Sequence, residues 1–291
     1  MSGNGQVTIT YCTGGRHEAE FMTTILAMYN YDRFNADEPV LNPEPIVCLG
    51  GPRLHLLRTM GVRRFLEERD DEWLFSVDDD MVSAPDAIHR LLAVADPIDK
   101  PIVGGLCFGS GRSGGALFPT IFVDGPKGPT AVMDWPRGHL VECAATGWAF
   151  LLVHRSVLER MASDEAFGKN PDGTVSLLPW FVDGQVGDRL MEGDISFCAR
   201  ARSLGYKIHV HTGVSVGHKK PQFLDEKFFD HVRATQAALD TRLAEVEAEQ
   251  KADDARANEW ADRMGADWLR RYADGLERAR AEIEDQDQEA S

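Results

Sequence analysis

Long hydrophobic runs, paired cysteines and basic charge are all scarce in this sequence. No apolar run reaches the roughly 18 to 20 residues that a membrane-spanning helix requires. The first residues carry neither the basic stretch nor the apolar stretch of a secretory signal, so a cytoplasmic location is expected. The five cysteines are scattered, odd in number and form no CxxC pair. This usage excludes a disulfide scaffold and a zinc ribbon.

Basic residues are too few to give an extended nucleic-acid-binding surface. Lysine and arginine together number 31, against 47 aspartates and glutamates, for a net charge of −16. Binding to a polyanion depends on clustered positive charge, so no nucleic-acid groove is expected. The same acidity would repel a phosphorylated ligand unless a bound cation or a local basic group intervened.

The chain is long enough for a large hydrophobic core and a second part. It has 291 residues, of which 43% are hydrophobic, and this length is compatible with two domains. Glycine and proline become rare after position 222, where charged residues dominate. The sequence therefore predicts a globular domain over 1–222 and a charged helical extension over 223–291. The extension is either a solvated helical tail or a dimerising helix through which a homo-oligomer forms.

Strands and helices alternate through the first 108 residues. Short β-branched or apolar runs, which are typical of buried strands, occur at 6–11, 46–49, 73–77 and 101–108. Between them, apolar residues recur at helical spacing over 18–29 and 54–68, and Pro85 stands where a third helix would begin. Such alternation indicates an α/β fold in which helices cover a mostly parallel sheet.

Three aspartates directly follow the third predicted strand. Asp78, Asp79 and Asp80 come after the run at 73–77, and ligands of open α/β sheets bind at the carboxyl ends of the strands. Adjacent carboxylates repel one another, so a compensating charge is expected. A divalent cation such as Mg²⁺ or Mn²⁺ suits carboxylate oxygens. The alternative from these residues alone is a solvated turn or a helix N-cap.

Two later residues, Asp194 and His218, are further candidates. Asp194 immediately precedes a helical pattern over 195–204, where it is either an N-cap or a general base for a hydroxyl. His218 follows a strand-like stretch and is either a structural histidine or a metal ligand.

The segment 109–114 matches GxGxxG, but no helix of useful length follows it. We interpret it as a loop, because dinucleotide binding uses that helix N-terminus.

Taken in order along the chain, these features resemble a glycosyltransferase of the GT-A fold, near the large family 2 group. The resemblance covers residues 6–221 and is carried by the ordered set rather than by one member. The matching pieces are the turn at 13–15, the aspartate-rich DxD element at 78–80, the glycine-containing apolar segment at 145–155, the acid at 194 and the late histidine at 218. The chain departs from the family pattern at Cys12, at 51–53 and at Gly193, which follows Glu192.

The resemblance implies a metal-dependent enzyme built on a mixed, mostly parallel GT-A sheet flanked by helices. A sugar would move from a nucleotide-diphosphate sugar, such as a UDP- or GDP-sugar, to a hydroxyl of an unidentified glycan, protein or small molecule. Mn²⁺, or Mg²⁺, would be held by Asp78, Asp80 and His218. Asp194 would take the proton from the acceptor hydroxyl, which attacks with inversion.

The resemblance also assigns the residues that would contact the donor. Asp78 and Asp79 would lie against the nucleotide, and Trp148 would offer a flat apolar face to a sugar. The residues beside the nucleobase and ribose would be Thr13, Gly14 and Arg53.

Three alternatives remain open at this point. Retaining enzymes of the same fold share the DxD and histidine elements, so a retaining glycosyltransferase is one. A nucleotidyltransferase on a related fold is another, because Gly14, Gly15 and Arg16 form a short version of the glycine-rich basic loop that grips a triphosphate. A non-catalytic carbohydrate-binding protein is the third, and it predicts no metal-dependent nucleotide binding.

Overall fold

The computed structural model describes residues 7–51, 53–110, 117–126, 128–170, 172–186, 189–191 and 193–220, together with scattered positions between 233 and 259. The chain divides into two compact units, Met1–Lys220 and Pro221–Ser291. The positions described in the second unit are helical, and its role as a tail or a dimerising helix stays a prediction. Among the helices that the structure describes, none is long and apolar enough to cross a bilayer.

The first unit contains short strands and five helices within its described residues. The strands are β1 (Val7–Thr13), β2 (Ile46–Leu49), β3 (Trp73–Val77), β4 (Met81–Val82), β5 (Ile102–Leu106), β6 (Phe108–Ser110), β7 (Leu117–Pro119), β8 (Phe122–Gly125), β9 (Gly128–Ala131), β10 (Leu140–Cys143), β11 (Phe150–His154), β12 (Gly184–Val186), β13 (Arg189–Met191), β14 (Ile208–Ser215) and β15 (Gly217–His218). The helices are α1 (Ala19–Phe34), α2 (Leu54–Glu68), α3 (Ala87–Leu92), α4 (Arg155–Ser163) and α5 (Gly193–Ser203).

Seven of the strands form one central sheet in the order β10-β14-β5-β11-β3-β1-β2. β1 pairs in parallel with β2 and β3, and β14 pairs in parallel with β5. β11 runs antiparallel to both β3 and β5, and β10 runs antiparallel to β14. Five strands therefore share one direction. This mixed, mostly parallel sheet confirms the fold class predicted from the sequence.

Side-chain alternation along the strands supplies a core on each face of the sheet. In β1, Val7 and Ile9 face a cluster formed with apolar residues of α1 and α3. In β3, Leu74 faces the opposite cluster, which contains residues of α2, α4 and α5. All five residues of β3 are buried, because this strand lies inside the sheet with helices on both sides. The carboxyl end of β3, where the aspartates follow, is therefore anchored by the core.

The sheet departs from strict strand–helix alternation in two ways: β11 runs antiparallel to its neighbours, and no helix separates it from β10. The bounds predicted for β2, β3 and α2 are confirmed. The parallel arrangement expected from the first 108 residues is interrupted by β11, which inserts between β3 and β5. Its chain direction is opposite to theirs, and no helix intervenes between β10 and β11. The backbone carbonyl of Ala149, just before β11, accepts a hydrogen bond from the Asp78 amide at 2.9 Å.

A separate two-stranded ladder joins the end of the first unit to the aspartate segment. β15 pairs antiparallel with β4, with His218 opposite Met81 and Gly217 opposite Val82. The Lys219 amide donates to the Asp80 carbonyl at 2.9 Å. These backbone contacts bring residues that are about 140 positions apart in sequence to the same place.

We expect acid to destabilise the first unit as the pH falls below about 6.5, in part through His154. Burial lowers the pKa of His154, and of His209 and His211, below the ordinary value of 6.5. At pH values between the folded pKa values and 6.5, the unfolded chain binds more protons than the folded chain. The stability that the neutral histidines contribute is therefore present above pH 6.5, and it is lost as the pH falls and these histidines become charged. Thermal unfolding of the full chain at two pH values measures the loss.

The His154→Asn variant tests how much of this acid-induced loss of stability comes from His154. The imidazole accepts a hydrogen bond from the Ser156 amide at the start of α4, and asparagine retains that capping ability. The variant should therefore lose less stability than the wild type between about pH 7.5 and pH 5.5. Equal losses in both proteins would contradict the assignment.

Candidate active site

A cavity of about 480 Å³ opens where β1 and β2 end. Its lining residues come from the end of β1, from the turns after β1 and β2, from the first turn of α2 and from the aspartate segment: Cys12, Thr13, Gly14, Gly50, Gly51, Leu54, Leu57 and Asp79. The carboxyl ends of parallel strands are the usual ligand-binding edge of an open α/β sheet. The structure thus places Thr13, Gly14 and Asp79, three of the predicted nucleotide contacts, around one cavity.

The turn after β1 keeps one side of this cavity open. Gly15 has a φ of 91°, a conformation that favours glycine. Its amide donates to the Thr13 hydroxyl at 3.1 Å, and the Gly50 amide donates to the Thr13 carbonyl at 3.1 Å. A Cβ at Gly14 or at Gly51 would meet no atom within 4 Å. The two turns are thus tied together at Thr13, while two glycines leave room for a ligand.

Asp80 and His218 meet beside the aspartate turn. The His218 Nε2 lies 3.1 Å from the Asp80 Oδ2, although the residues are 138 positions apart. The other ring nitrogen, Nδ1, lies 2.9 Å from the carbonyl oxygen of Phe108. Because carbonyl and carboxylate oxygens can only accept here, both ring nitrogens carry a proton and the ring is an imidazolium. Binding of a cation at Nε2 would release the proton on that nitrogen. The predicted convergence of these two residues is present in the structure.

The chemistry of this pair fits a divalent cation, but the predicted set of three ligands is not assembled. An imidazole whose Nδ1 donates to a carbonyl is oriented to offer Nε2 to a metal, and a carboxylate oxygen faces it. Asp80 and His218 therefore fit two ligand positions. Within the part of the chain that the structure describes, no group of three or more acidic, histidine or cysteine side chains is placed to hold one ion.

Lys220 adds positive charge to the same carboxylate. Its Nζ lies 2.7 Å from the Asp80 Oδ2. Burial acts to raise the pKa of Asp80, but the hydrogen bonds from His218 and Lys220 outweigh it and hold this pKa below its usual value. Asp80 is therefore a carboxylate with two basic neighbours, and it carries its negative charge at neutral pH.

The structure does not bring Asp78 together with Asp80 and His218, because Asp78 binds Arg58; a metal-ligand role for Asp78 stays a prediction. The Arg58 Nη2 lies 3.3 Å and 3.1 Å from the two carboxylate oxygens of Asp78. Burial raises the pKa of Asp78, and the adjacent guanidinium offsets only part of this effect. The side chain of the first aspartate thus points to helix α2, whereas that of the third points to His218.

Asp194 lies in the first turn of α5 and is also bound to Arg58. Its Oδ1 accepts from the Arg58 Nη1 in a short ion pair. Its Oδ2 accepts from the Trp148 backbone amide at 3.0 Å. About a quarter of the Asp194 side chain, 27%, is exposed, so solvent or a ligand reaches a carboxylate that is held on both oxygens.

The prediction that Trp148 presents its ring to a sugar is wrong. Trp148 is only 1% exposed. Its ring packs edge-on against Phe181 and Phe197, at centroid distances of 4.7 Å and 4.6 Å. Burying an indole in an aromatic cluster releases more apolar surface from water than leaving it at a polar edge. Trp148 contacts the site through its backbone amide, which donates to Asp194.

Two side chains that the sequence reasoning missed, Arg58 and Lys220, contact the predicted carboxylates. Arg58 lies four residues before Val62 and seven before Phe65, on the face of α2 that packs against the sheet. An arginine on the apolar face of a predicted helix was the signal available in the sequence. Arg53, the predicted contact, is exposed and immediately precedes α2. Its contact with a nucleotide stays a prediction.

Some sequence-based expectations fall outside the described residues. Glu192, which precedes Gly193, lies there. The GxGxxG match covers 109–114. Its first two residues, Gly109 and Ser110, lie in β6, and positions 111–114 lie outside the described residues.

No protein-family model and no curated protein matches this sequence. Among the solved structures that match is A197 from STIV, with 12% identity and a TM-score of 0.44 over 74% of this chain and 86% of that chain. GalNAc-T7 with UDP, GalNAc and Mn²⁺ matches with 12% identity and a TM-score of 0.45 over 73% of this chain. The match spans 43% of the GalNAc-T7 chain, less than half its length.

A glycosyltransferase involved in the glycosylation of the major capsid of PBCV-1 also matches. It has 14% identity and a TM-score of 0.29, over 57% of this chain and 71% of that chain. Glycosyltransferases are thus among the solved structures to which this chain is similar, and these likenesses concern the fold. The mixed, mostly parallel seven-stranded sheet with flanking helices is consistent with a GT-A-like α/β fold, as the resemblance in the sequence implied.

Proposed function

We propose that this protein transfers a sugar from a nucleotide-diphosphate sugar to an acceptor hydroxyl with the help of a divalent cation. The observation that carries the proposal is the meeting of the Asp80 carboxylate and the His218 imidazole at 3.1 Å. Asp80 follows β3, the strand beside β1 in the sheet, and His218 reaches it from β15. Asp79, in the same turn as Asp80, lines the cavity at the ends of β1 and β2. A cavity, an oriented pair of ligands and a nearby carboxylate base are the parts that this reaction needs.

The nucleoside of the donor would occupy the cavity at the ends of β1 and β2. The space beside Gly14 and Gly51 is open, and Leu54 and Leu57 supply an apolar wall. Such a mixture of apolar side chains and accessible backbone groups is suited to a planar base and a ribose. Asp79 also lines this cavity and is a candidate acceptor for ribose hydroxyls.

The diphosphate would lie toward Asp80 and His218. The chain has a net charge of −16, so a diphosphate needs local positive charge in order to bind. Asp80 and His218 would hold Mn²⁺ or Mg²⁺, which when bound neutralises the charge that grows on the leaving diphosphate. The Lys220 ammonium lies at the same carboxylate and adds a positive charge that the protein itself supplies. Stabilisation that grows in the transition state increases the rate, rather than the affinity alone.

Asp194 is the candidate general base. Its carboxylate is fixed by Arg58 and by the Trp148 amide, yet 27% of the side chain is exposed. It would accept the proton of the acceptor hydroxyl while the hydroxyl oxygen attacks the anomeric carbon opposite the diphosphate. Attack from that side inverts the configuration, so an α-linked donor would give a β-linked product.

Nucleotide titration tests the proposal at its first step. The full chain is titrated by calorimetry with UDP, GDP, ADP and CDP, each with Mn²⁺, with Mg²⁺ and with a chelator. We expect one base to bind more tightly than the others, and binding to weaken when the metal is chelated. The exposed Asp37, which lies away from the cavity in the loop after α1, provides an Asp37→Ala control that should behave like the wild type.

The reaction is then assayed with UDP- and GDP-linked hexoses and water as acceptor. Release of nucleoside diphosphate and free sugar supports glycosyl transfer. Release of pyrophosphate from a nucleoside triphosphate and a sugar phosphate would instead indicate a nucleotidyltransferase. The absence of metal-dependent binding to any of the four nucleotides would contradict both activities and favour a non-catalytic role.

A further inference from the structure

One arginine, Arg58, binds two carboxylates of the proposed site, those of Asp78 and Asp194. Arg58 lies on α2, and its side chain is 5% exposed. The Nη2 group binds both oxygens of Asp78, which is 20 positions away, and Nη1 binds Asp194, which is 136 positions away. Arg58 lies on α2, Asp78 in the turn after β3 and Asp194 on α5. Their meeting is a property of the fold rather than of a local motif.

The guanidinium is matched to this position in charge and in shape. Two carboxylates brought together in a partly buried site repel each other unless a cation lies between them. Burial acts to lower the pKa of Arg58, but Asp194 and Asp78 raise it, so the group stays charged. A planar guanidinium donates from separate nitrogens in fixed directions. It can bind two carboxylates at once, which a single ammonium cannot do in the same geometry.

The effect on Asp194 is to remove its rotational freedom. Arg58 binds Oδ1, and the Trp148 amide binds Oδ2 at 3.0 Å. A Cβ added at Gly147, next to Trp148, would lie 3.8 Å from the same Oδ2, so the backbone passes close to the carboxylate. Both oxygens therefore have defined positions before an acceptor arrives, which is the condition for efficient proton transfer by a side chain.

We propose that Arg58 is a positioning residue that orients the base Asp194 and couples it to Asp78 at the nucleotide side of the site. The inference rests on the proposed function, because it assigns to Asp194 the proton transfer described above. Arg58 itself does not exchange a proton or contact the reacting atoms. Its loss should therefore reduce the turnover of bound donor more than the binding of the donor.

The variants Arg58→Ala and Arg58→Lys test this role. We expect Arg58→Ala to lower kcat for donor hydrolysis by about 10²-fold, while KM changes by less than about threefold. Arg58→Lys should recover only part of the loss, because one ammonium cannot reach both carboxylates. Guanidinium chloride, well below denaturing concentrations, should partly restore the alanine variant, whereas sodium chloride at equal ionic strength should not. Arg64→Ala is the matched control, since Arg64 lies on the same helix with a partly exposed side chain and pairs with Glu68 rather than with Asp78 or Asp194.

A stability measurement separates the positioning role from the proposed reaction. Arg58→Ala leaves two carboxylates facing each other and should lower the melting temperature by about 10 °C. Adding Asp78→Asn and Asp194→Asn should recover much of that shift, because the repulsion is removed. This readout requires no substrate and reports whether the bridge exists in solution.

The outcomes are distinct for the two proposals. If the bridge is present but the wild type turns over no sugar nucleotide, the proposed function is contradicted and the positioning role falls with it. If the wild type is active and folded Arg58→Ala keeps its kcat, the positioning role alone is overturned. Failure of guanidinium to restore activity, together with equal losses in kcat and in donor affinity, would show that Arg58 acts only on folding or binding.

Discussion

Replacing Asp80 with alanine should lower kcat/KM for donor hydrolysis by about 10²- to 10³-fold, the range for loss of one well-placed charge-stabilising group. The Asp80 carboxylate faces the His218 Nε2 at 3.1 Å, and the proposed cation would lose one of its two protein ligands. Steady-state kinetics with the preferred donor, at a Mn²⁺ concentration that saturates the wild type, measures the change. The nucleoside diphosphate should also bind more weakly with Mn²⁺ and show a smaller difference upon chelation.

Two comparisons make this result specific. The Asp37→Ala variant removes an exposed carboxylate and should retain wild-type kinetics. Raising the Mn²⁺ concentration should partly restore Asp80→Ala, because His218 remains as a ligand. An Asp80→Ala enzyme with near wild-type activity and unchanged metal dependence would remove Asp80 from the cation site.

Replacing Asp194 with asparagine should lower kcat by about 10²- to 10⁴-fold, as expected for loss of a general base. Asparagine has nearly the same shape and can still accept the Trp148 amide that now donates to Oδ2 at 3.0 Å. It cannot take the acceptor proton at neutral pH. The affinity for the nucleoside diphosphate, measured by calorimetry, should change by less than about threefold, because Asp194 does not line the nucleoside cavity.

The stereochemistry of the product provides an independent check on Asp194. Proton NMR of the anomeric hydrogen, recorded before mutarotation, should show a β sugar released from an α-linked donor. An α product would indicate the retaining alternative, in which Asp194 is not a base acting directly on the nucleophile. Turnover that survives in Asp194→Asn at the wild-type rate would assign the base role to another group.

The first half of the fold could be predicted closely because its signals are local. The bounds of β2, α2 and β3 follow from short apolar runs and helical spacing. β11 was harder to predict, since an apolar run has the same appearance whether it enters the sheet parallel or antiparallel. Its direction depends on how the chain returns from β10, and that connection carries no periodic pattern.

In the candidate site, too, the features with a local signal could be predicted and several tertiary contacts could not. The aspartates after β3 were identifiable because acidic residues directly after a buried strand emerge at the sheet edge. The meeting of Asp80 with His218 was implied by the resemblance, but the basic partners were not predicted: Asp78 binds Arg58, and Asp80 also binds Lys220. Trp148 was assigned a ligand contact, whereas the cluster with Phe181 and Phe197 buries its ring.

The sequence by itself determined the order of the strands and helices in the first half of the chain, the acidic turn at the end of β3 and the scarcity of positive charge. Each of these depends on residue types and short-range spacing. Only the tertiary structure decided which charges meet, because ion pairs such as Arg58 with Asp194 join residues 136 positions apart. Those distances are set by the packing of helices on both faces of the sheet and by the β4–β15 ladder, and no local pattern encodes them.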